Sequence, residues 1–390
     1  MTAWGLFYGS GIVISCGARC RETRKWSEHL AAVASAEQME EIGLQQQNTV
    51  VLLMARLYQA IARWSLGEFA AARDLLKECL QLKDPAYRAA SAALTPEDPY
   101  LMTLSWVALS LASLGYIEQA RAHISEALSV VAGLEKTERQ AYSHGFVLEF
   151  ACGTEWHAGS TDGVKRHSDK LVALADEYGF PYLWTMGLCY NGWAATALGD
   201  PSKGLDLLSK GPSTNRVIGS VYGTAWYFNW QADAHNQLGR SDLALDLLLK
   251  AEAVIEENGE RFMEAELHLV WGALEIGRGE ALAAEKHFRE ALELSRRRSA
   301  RIYELNAAIR LARLLKETGE RKLASFWLPS TIGSPRASMR RFCKRQRHCF
   351  MSSRNEYGAA LATIRASWVR LAVFSLRSTA GSQRASTRAI

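Results

Sequence analysis

Glycine recurs every 40 residues through the second half of this chain, at Gly159, Gly199, Gly239, Gly279 and Gly319. A period of that length leaves few folds open. Each unit is too short to enclose a core of its own, so it buries its apolar face against its neighbours, as solenoids do. The residues around each glycine say what the unit is. Around Gly239, apolar residues recur at helical rather than alternating spacing, so strands are excluded. A helix reaches Leu238, Gly239-Arg240-Ser241-Asp242 turns the chain, and a second helix follows. Glycine suits the turn because it enters the left-handed region without steric cost. Ser241 or Asp242 is the expected cap of the second helix.

Small residues hold fixed offsets from the glycines. Five positions after it stand Gly204, Ala244, Ala284 and Ala324; seven before it stand Gly192, Ala232, Gly272 and Ala312. Bulky Leu208, Leu248 and Phe288 lie nine after it. Small residues let two helices approach closely, and large ones fill the space between pairs. Earlier units keep the pattern on longer spacings, Gly67 with Ala72 and Cys79, and Gly115 with Ala120 and Ala127, with Gly17 as a degraded first copy. The unit at Gly159 departs most, with Val164 and Leu171 in the small positions. The prolines of Lys83-Asp84-Pro85-Ala86 and Thr95-Pro96-Glu97-Asp98-Pro99 predict an inserted loop or short extra helix. The expected fold is all-α, a right-handed α-solenoid of stacked antiparallel helix pairs with an irregular C-terminal tail.

This small–large–small unit resembles the tetratricopeptide repeat, lengthened from its usual ~34 residues, over roughly Gly17 to Ala324. Segments such as Gly67-Glu68-Phe69-Ala70-Ala71-Ala72-Arg73 and His287-Phe288-Arg289-Glu290-Ala291-Leu292-Glu293-Leu294 also resemble the C-terminal repeat region of large bacterial signalling proteins. In those proteins a class III nucleotide-cyclase domain and a P-loop ATPase domain precede the repeats. The resemblance implies a regulatory or sensory role and no enzyme activity for this stretch.

The chain splits by charge. Residues 325–390 carry eleven Arg and one Lys against one acid, Glu356, while the whole is only +5, so residues 1–324 are net acidic. The expected division is therefore a helical domain over 1–324 and a basic tail over 325–390. The tail has three readings: a nucleic-acid or anionic-lipid arm held by phosphate contacts, a disordered extension, or the product of a shifted reading frame. The change falls abruptly inside a repeat, which favours the last. Phe342, Phe350 and Trp368 do not interleave with the basic run as base-stacking aromatics would.

Chemical motifs are missing. The chain has no Gly-Lys pair, hence no phosphate-binding P-loop, and no His-Glu-x-x-His or Gly-x-Ser-x-Gly. His144, His157 and His167 are spaced off any single helix face, so no metal is expected. His235 and His268 are read as ordinary polar contacts of Asp233 and of Glu264 or Glu266. Glu256, Glu257 and Glu260 are expected to meet water. Scattered cysteines without a Cys-x-x-Cys pair read as free thiols of a cytoplasmic protein. The apolar stretch Trp4–Cys16 is too short to span a bilayer; its exposed apolar residues suit an oligomer contact or a fragment end.

Stacked pairs curve around a concave face lined by the first helix of each pair. Counting 13, 10, 9, 6 and 3 residues back from the turn glycine gives Trp226, Asn229, Trp230, Asp233 and Asn236 for Gly239. The same count includes Tyr190 and Trp193 for Gly199, and Arg310, Arg313 and Lys316 for Gly319. Indoles beside amides suit a peptide segment, and the basic trio suits a carboxylate. The competing reading packs the tryptophans between pairs and leaves the basic trio a solvated stripe beside Glu304 and Glu317. The expected function is a non-catalytic protein-interaction or sensory scaffold without cofactor, with a small-molecule or peptide sensor and a degenerate, inactive gene product as the alternatives.

Overall fold

The computed structural model describes residues 27–91, 97–134, 137–218 and 223–318. These form fifteen α-helices, with no strand among the described residues. Six complete helix pairs follow one another: α2 (Thr49–Ser65) with α3 (Phe69–Cys79), α5 (Pro99–Ser113) with α6 (Ile117–Ala132), α7 (Glu138–His157) with α8 (Thr161–Tyr178), α9 (Pro181–Ala197) with α10 (Pro201–Ile218), α11 (Thr224–Gln237) with α12 (Ser241–Asn258), and α13 (Glu264–Gly277) with α14 (Ala281–Arg297). Helix α1 (Ser27–Gln45) precedes them and α15 (Arg301–Glu317) follows. The proline segment holds a short 3-10 turn, Leu80–Lys83, and the extra helix α4 (Pro85–Ser91). The architecture is an α-solenoid.

Every described glycine of the 40-residue series and its two predecessors has positive φ, from 65° at Gly159 to 92° at Gly199. A second series joins one pair to the next: Gly179 and Gly259 end α8 and α12 in the left-handed region, and Ser299, at the matching place after α14, is held at φ 56° without being glycine. Gly319 and Gly17 lie outside the described residues.

The small residues do what their spacing implies. A Cβ on Gly192 would stand 2.7 Å from Leu208 and 2.9 Å from the Gly204 carbonyl, and one on Gly272 would enter the Phe288 ring. Ala232, Ala244 and Ala251 surround the fully buried Leu248 in the same way. In the third pair Val164 and Leu171 fill the small positions and are themselves fully buried.

Two local expectations are corrected. Neither Ser241 nor Asp242 caps α12; the helix already begins at Ser241, and Arg240 takes the cap position without a side-chain bond. Glu260 is not at a wet helix end. It is 2% exposed, its carboxylate accepts from the Gly223 N–H, and His29 stands 3.8 Å away.

That contact belongs to a larger return of the array on itself. The Ser65 carbonyl, at the end of α2, accepts from the backbone N–H of Arg261 at 2.8 Å and of Phe262 at 3.2 Å. Trp64 packs on Phe262, Arg298 lies across Gly67, and Arg301 lies across Gly115. The first pairs are thus closed against the last by winding. Contacts divide the chain between Leu311 and Ala312, inside α15, and the winding described here belongs to the part before that division. The expected boundary at 324/325, the basic tail and the apolar N-terminal stretch lie outside the described residues.

Candidate functional site

The first helices of the pairs carry an aromatic stripe. Nine residues before the turn glycine stand Tyr58, Trp106, Phe150, Tyr190 and Trp230 in five successive pairs. Helical periodicity puts these residues on the face that also holds the positions 13, 10, 6 and 3 before the glycine. Because the array winds, rings from distant pairs meet. Trp226 and Trp230 lie 5.3 Å apart on α11, Tyr190 is 5.4 Å from Trp230, and Trp156 of α7 is 5.4 Å from Trp226 and 5.8 Å from Trp230. Tyr303 of α15 closes on Trp156 at 6.1 Å, and Phe262 bridges Trp226 and Trp64 at 5.3 and 4.5 Å.

The structure therefore brings Tyr190, Trp226, Asn229 and Trp230 together in the interior, all buried, with Trp193 half-buried 6.4 Å from Trp230. Both Trp226 and Trp230 are in the core, where the sequence left room for one of them on an open groove. Asp233 and Asn236 are half-buried further along the same helix, and Arg310 is half-buried on α15. Arg313 and Lys316 are exposed and lie past the division of the chain. Glu304 pairs with Arg296 and Arg301 rather than with the basic trio.

Several of these interior groups lack hydrogen-bond partners. The indole N–H groups of Trp64, Trp226 and Trp230 are buried and unpartnered, and so are both the amide nitrogen and the amide oxygen of Asn229. Buried polar atoms are normally satisfied, since each costs about 1–3 kcal/mol when left alone. Charges stand close by. Burial raises the carboxyls of Asp233 and Glu266, Glu266 to about 7, while Arg310 draws both down and Asp233 pushes Glu266 further up. Glu149, fully enclosed on α7, is pushed by burial to about 8; its Oε1 accepts from the Tyr182 hydroxyl at 3.1 Å and its Oε2 has no partner.

Sequence reasoning missed Glu149, Trp156, Glu266 and Phe262. The first three were within reach: they stand 10 and 3 before Gly159 and 13 before Gly279, the same count that selected Trp226. Phe262 sits in a connection between pairs, where no such count applies.

His157 is buried between the Gly153 carbonyl, 2.8 Å from Nδ1, and the Ser113 hydroxyl, 3.2 Å from Nε2, and burial lowers it to about 4. His235 does not meet Asp233: its Nδ1 is buried without a partner, and Asp233 accepts instead from Gln237. His268 turns from the acids to His287, with Nδ1 atoms 3.0 Å apart. No group of three or more metal-ligating side chains occurs among the described residues. No helix among them is long and apolar enough to cross a membrane.

No protein-family profile and no curated protein matches the chain. Solved structures do, at low identity. A Rap protein complexed with Competence and Sporulation Factor is similar at 12% identity and a TM-score of 0.45, over 70% of this chain and 77% of that one. A signal-transduction ATPase with a tetratricopeptide repeat sensor from Pyrococcus horikoshii is similar at 16% identity and a TM-score of 0.44, over 80% of this chain and 45% of that one. A tetratricopeptide repeat protein from Parabacteroides merdae is similar at 15% identity and a TM-score of 0.33, over 65% of this chain and 98% of that one. Likenesses this distant say nothing of what the present chain binds.

Proposed function

We propose that this chain is a non-catalytic sensory module that takes a peptide segment on the inner face of its helical array, beside Trp226, Asn229 and Trp230. One observation carries the reading: the unpartnered indole and amide groups collected on that face. A peptide backbone offers both N–H and C=O, which the Asn229 amide and the indole donors match, and the surrounding rings suit its apolar side chains. The set Tyr190, Trp193, Trp226, Asn229, Trp230, Asp233, Asn236 and Arg310 is the proposed lining. The free buried thiols Cys79, Cys152 and Cys189 fit a reducing compartment, the cytoplasm. The repeat region of cyclase–ATPase signalling proteins is the context in which such a sensor would serve.

Equilibrium dialysis of the full chain against pooled random octapeptides, read by mass spectrometry, tests this. Asn229→Leu removes the unsatisfied amide at nearly constant volume, so the fold is expected to persist, as circular dichroism would verify. Enrichment by the wild type that falls about tenfold in Asn229→Leu supports the inner-face site. No enrichment, or equal enrichment by both proteins, overturns it.

A second reading rests on a separate observation. Leu198 and Leu282, beside the turn glycines, are 62% and 81% exposed. Such residues fit protein contact along the turn edge of a scaffold. Capture of a partner that Leu282→Glu abolishes and Asn229→Leu leaves intact would favour it.

A further inference from the structure

Where the aromatic cluster meets α15, the inner face carries charges of both signs that face one another without closing. Asp233 follows Asn229 and Trp230 by one turn of α11, Glu266 stands in the first turn of α13, and Arg310 comes from α15. Arg310 is near enough to stabilise both carboxylates, yet no ion pair joins it to either among the described residues. Glu266 has no hydrogen-bond partner there, and Asp233 accepts only from Gln237 Nε2, at 3.0 Å.

This is unusual for the molecule. Arg121 clamps Glu155 with two bonds of 2.7 and 2.6 Å, Arg88 holds Asp98 at 2.5 Å, and Arg298 holds Glu264. In each case a partly buried arginine has closed on its acid. Bidentate or direct closure is the favourable state of such pairs. A half-buried arginine and two half-buried acids thus stand near one another with no ion-pair partner among the described residues.

The second observation lies on the same helix face. Asn229, 1% exposed and one turn before Asp233 on the same helix face, has neither amide atom satisfied. The Trp226 and Trp230 indole N–H groups on that face are unsatisfied as well.

We propose that this end of the inner face binds a small zwitterion, a molecule with an ammonium group set between Asp233 and Glu266 and a carboxylate set on Arg310, the class of an amino acid or of a short peptide with free ends. This rests on the inner face being a ligand site and names the chemistry of the ligand's ends. The charges divide as the ligand's do. Asn229 lies where an amide or carbonyl of the ligand would pass, and the Trp156, Trp226 and Trp230 rings cover its carbon skeleton. An ammonium group beside Glu266 also changes its protonation. Without the ligand, burial and Asp233 raise that carboxyl to about 7 against the opposing Arg310. A bound ammonium favours the carboxylate, so binding near neutral pH releases a proton.

The test uses the full chain and three probes at pH 7: the free amino acids, a pool of random tripeptides with free ends, and the same pool N-acetylated and C-amidated. Equilibrium dialysis with mass spectrometry reads retention. Isothermal titration of retained members, in two buffers of different ionisation enthalpy, reads proton release. The expected result is at least tenfold higher retention of free-ended over blocked tripeptides, or of free amino acids, which tells the two sources apart. Arg310→Gln and Asp233→Asn are each expected to cut retention about tenfold, and Glu266→Gln to remove the proton release. These three variants break no ion pair, so circular dichroism should stay unchanged. Equal retention of blocked and free tripeptides overturns the zwitterion and leaves the inner-face site standing. Retention of none of the probes, with octapeptides still captured in an Asn229-dependent way, does the same. Loss of both overturns both.

Discussion

The indole of Trp64, at the end of the first helix of the first complete pair, lies 4.5 Å from the ring of Phe262, which enters the sixth. The Ser65 carbonyl fixes the approach by accepting from the N–H groups of Arg261 and Phe262. In an open solenoid each unit touches only its neighbours, and stability is a sum of local terms. Here a contact between the ends couples them. Phe262→Ala is expected to cost about 3–5 kcal/mol, as loss of a buried phenyl ring does. It should also separate the unfolding of the two ends. Urea unfolding followed by tryptophan fluorescence and by circular dichroism would show one coincident transition in the wild type and two in the variant.

The glycines fall into two kinds that mutation separates. Gly239 has φ 70° and open space where a Cβ would go, so Gly239→Ala meets backbone strain alone, about 1–2 kcal/mol. Gly272 is helical, and its Cβ would enter the Phe288 ring. Gly272→Ala is expected to cost about 1–3 kcal/mol by overpacking. Phe288→Leu should recover part of that loss in the double variant and none of the Gly239→Ala loss. A double-mutant cycle on thermal unfolding measures both.

These two glycine roles were legible beforehand, because a turn and a close helix approach are local and each leaves its mark at a fixed offset. The interior was legible only in part. Counting from Gly239 found Trp226, Asn229, Trp230 and Asp233, and the same count from Gly159 and Gly279 contains Trp156 and Glu266. What no count contains is the winding. Whether Trp230 lines an open groove or meets Trp156 depends on a small rotation accumulated over several pairs, and that rotation is a property of all their contacts together. The burial of Glu260 against Gly223 and His29 has the same origin. It is a helix-end acid by sequence, and it meets Gly223 and His29 of α1 only once the array has wound.

The pair His268 and His287 sets an acid limit on stability. Their Nδ1 atoms are 3.0 Å apart and the His287 ring stacks on Trp271 at 4.9 Å. Only one of two facing nitrogens can carry the proton, so both rings cannot be charged in this geometry. Burial lowers both; His268 and Lys286 lower His287 further, to about 4, with Glu290 opposing, while around His268 Glu264 opposes Lys286 and Arg298. A histidine lowered in the folded state stabilises it fully above its unfolded value near 6.5 and loses that contribution as pH falls towards 4. Wild-type melting temperature should therefore drop between pH 6.5 and 4. In His287→Phe, which keeps the ring on Trp271, the drop should be smaller; an unchanged profile would remove the pair as its source.

Glu149 acts in the opposite sense and at the other end of the range. It is fully enclosed, its one hydrogen bond comes from Tyr182, and burial, with nearby Glu97 adding to it and the Tyr182 bond opposing, holds its carboxyl at about 8. At neutral pH the folded chain keeps this proton while the unfolded chain has lost it. The native state then binds more protons, so its stability declines as pH rises from about 4.5 to 8. Glu149→Gln carries a neutral amide at every pH and keeps an acceptor for the Tyr182 hydroxyl. It should match the wild type near pH 4 and exceed it by roughly 2–4 kcal/mol at pH 8, as urea midpoints at the two pH values would measure. A constant difference across that range would mean that Glu149 is ionised in the folded chain and would overturn this account.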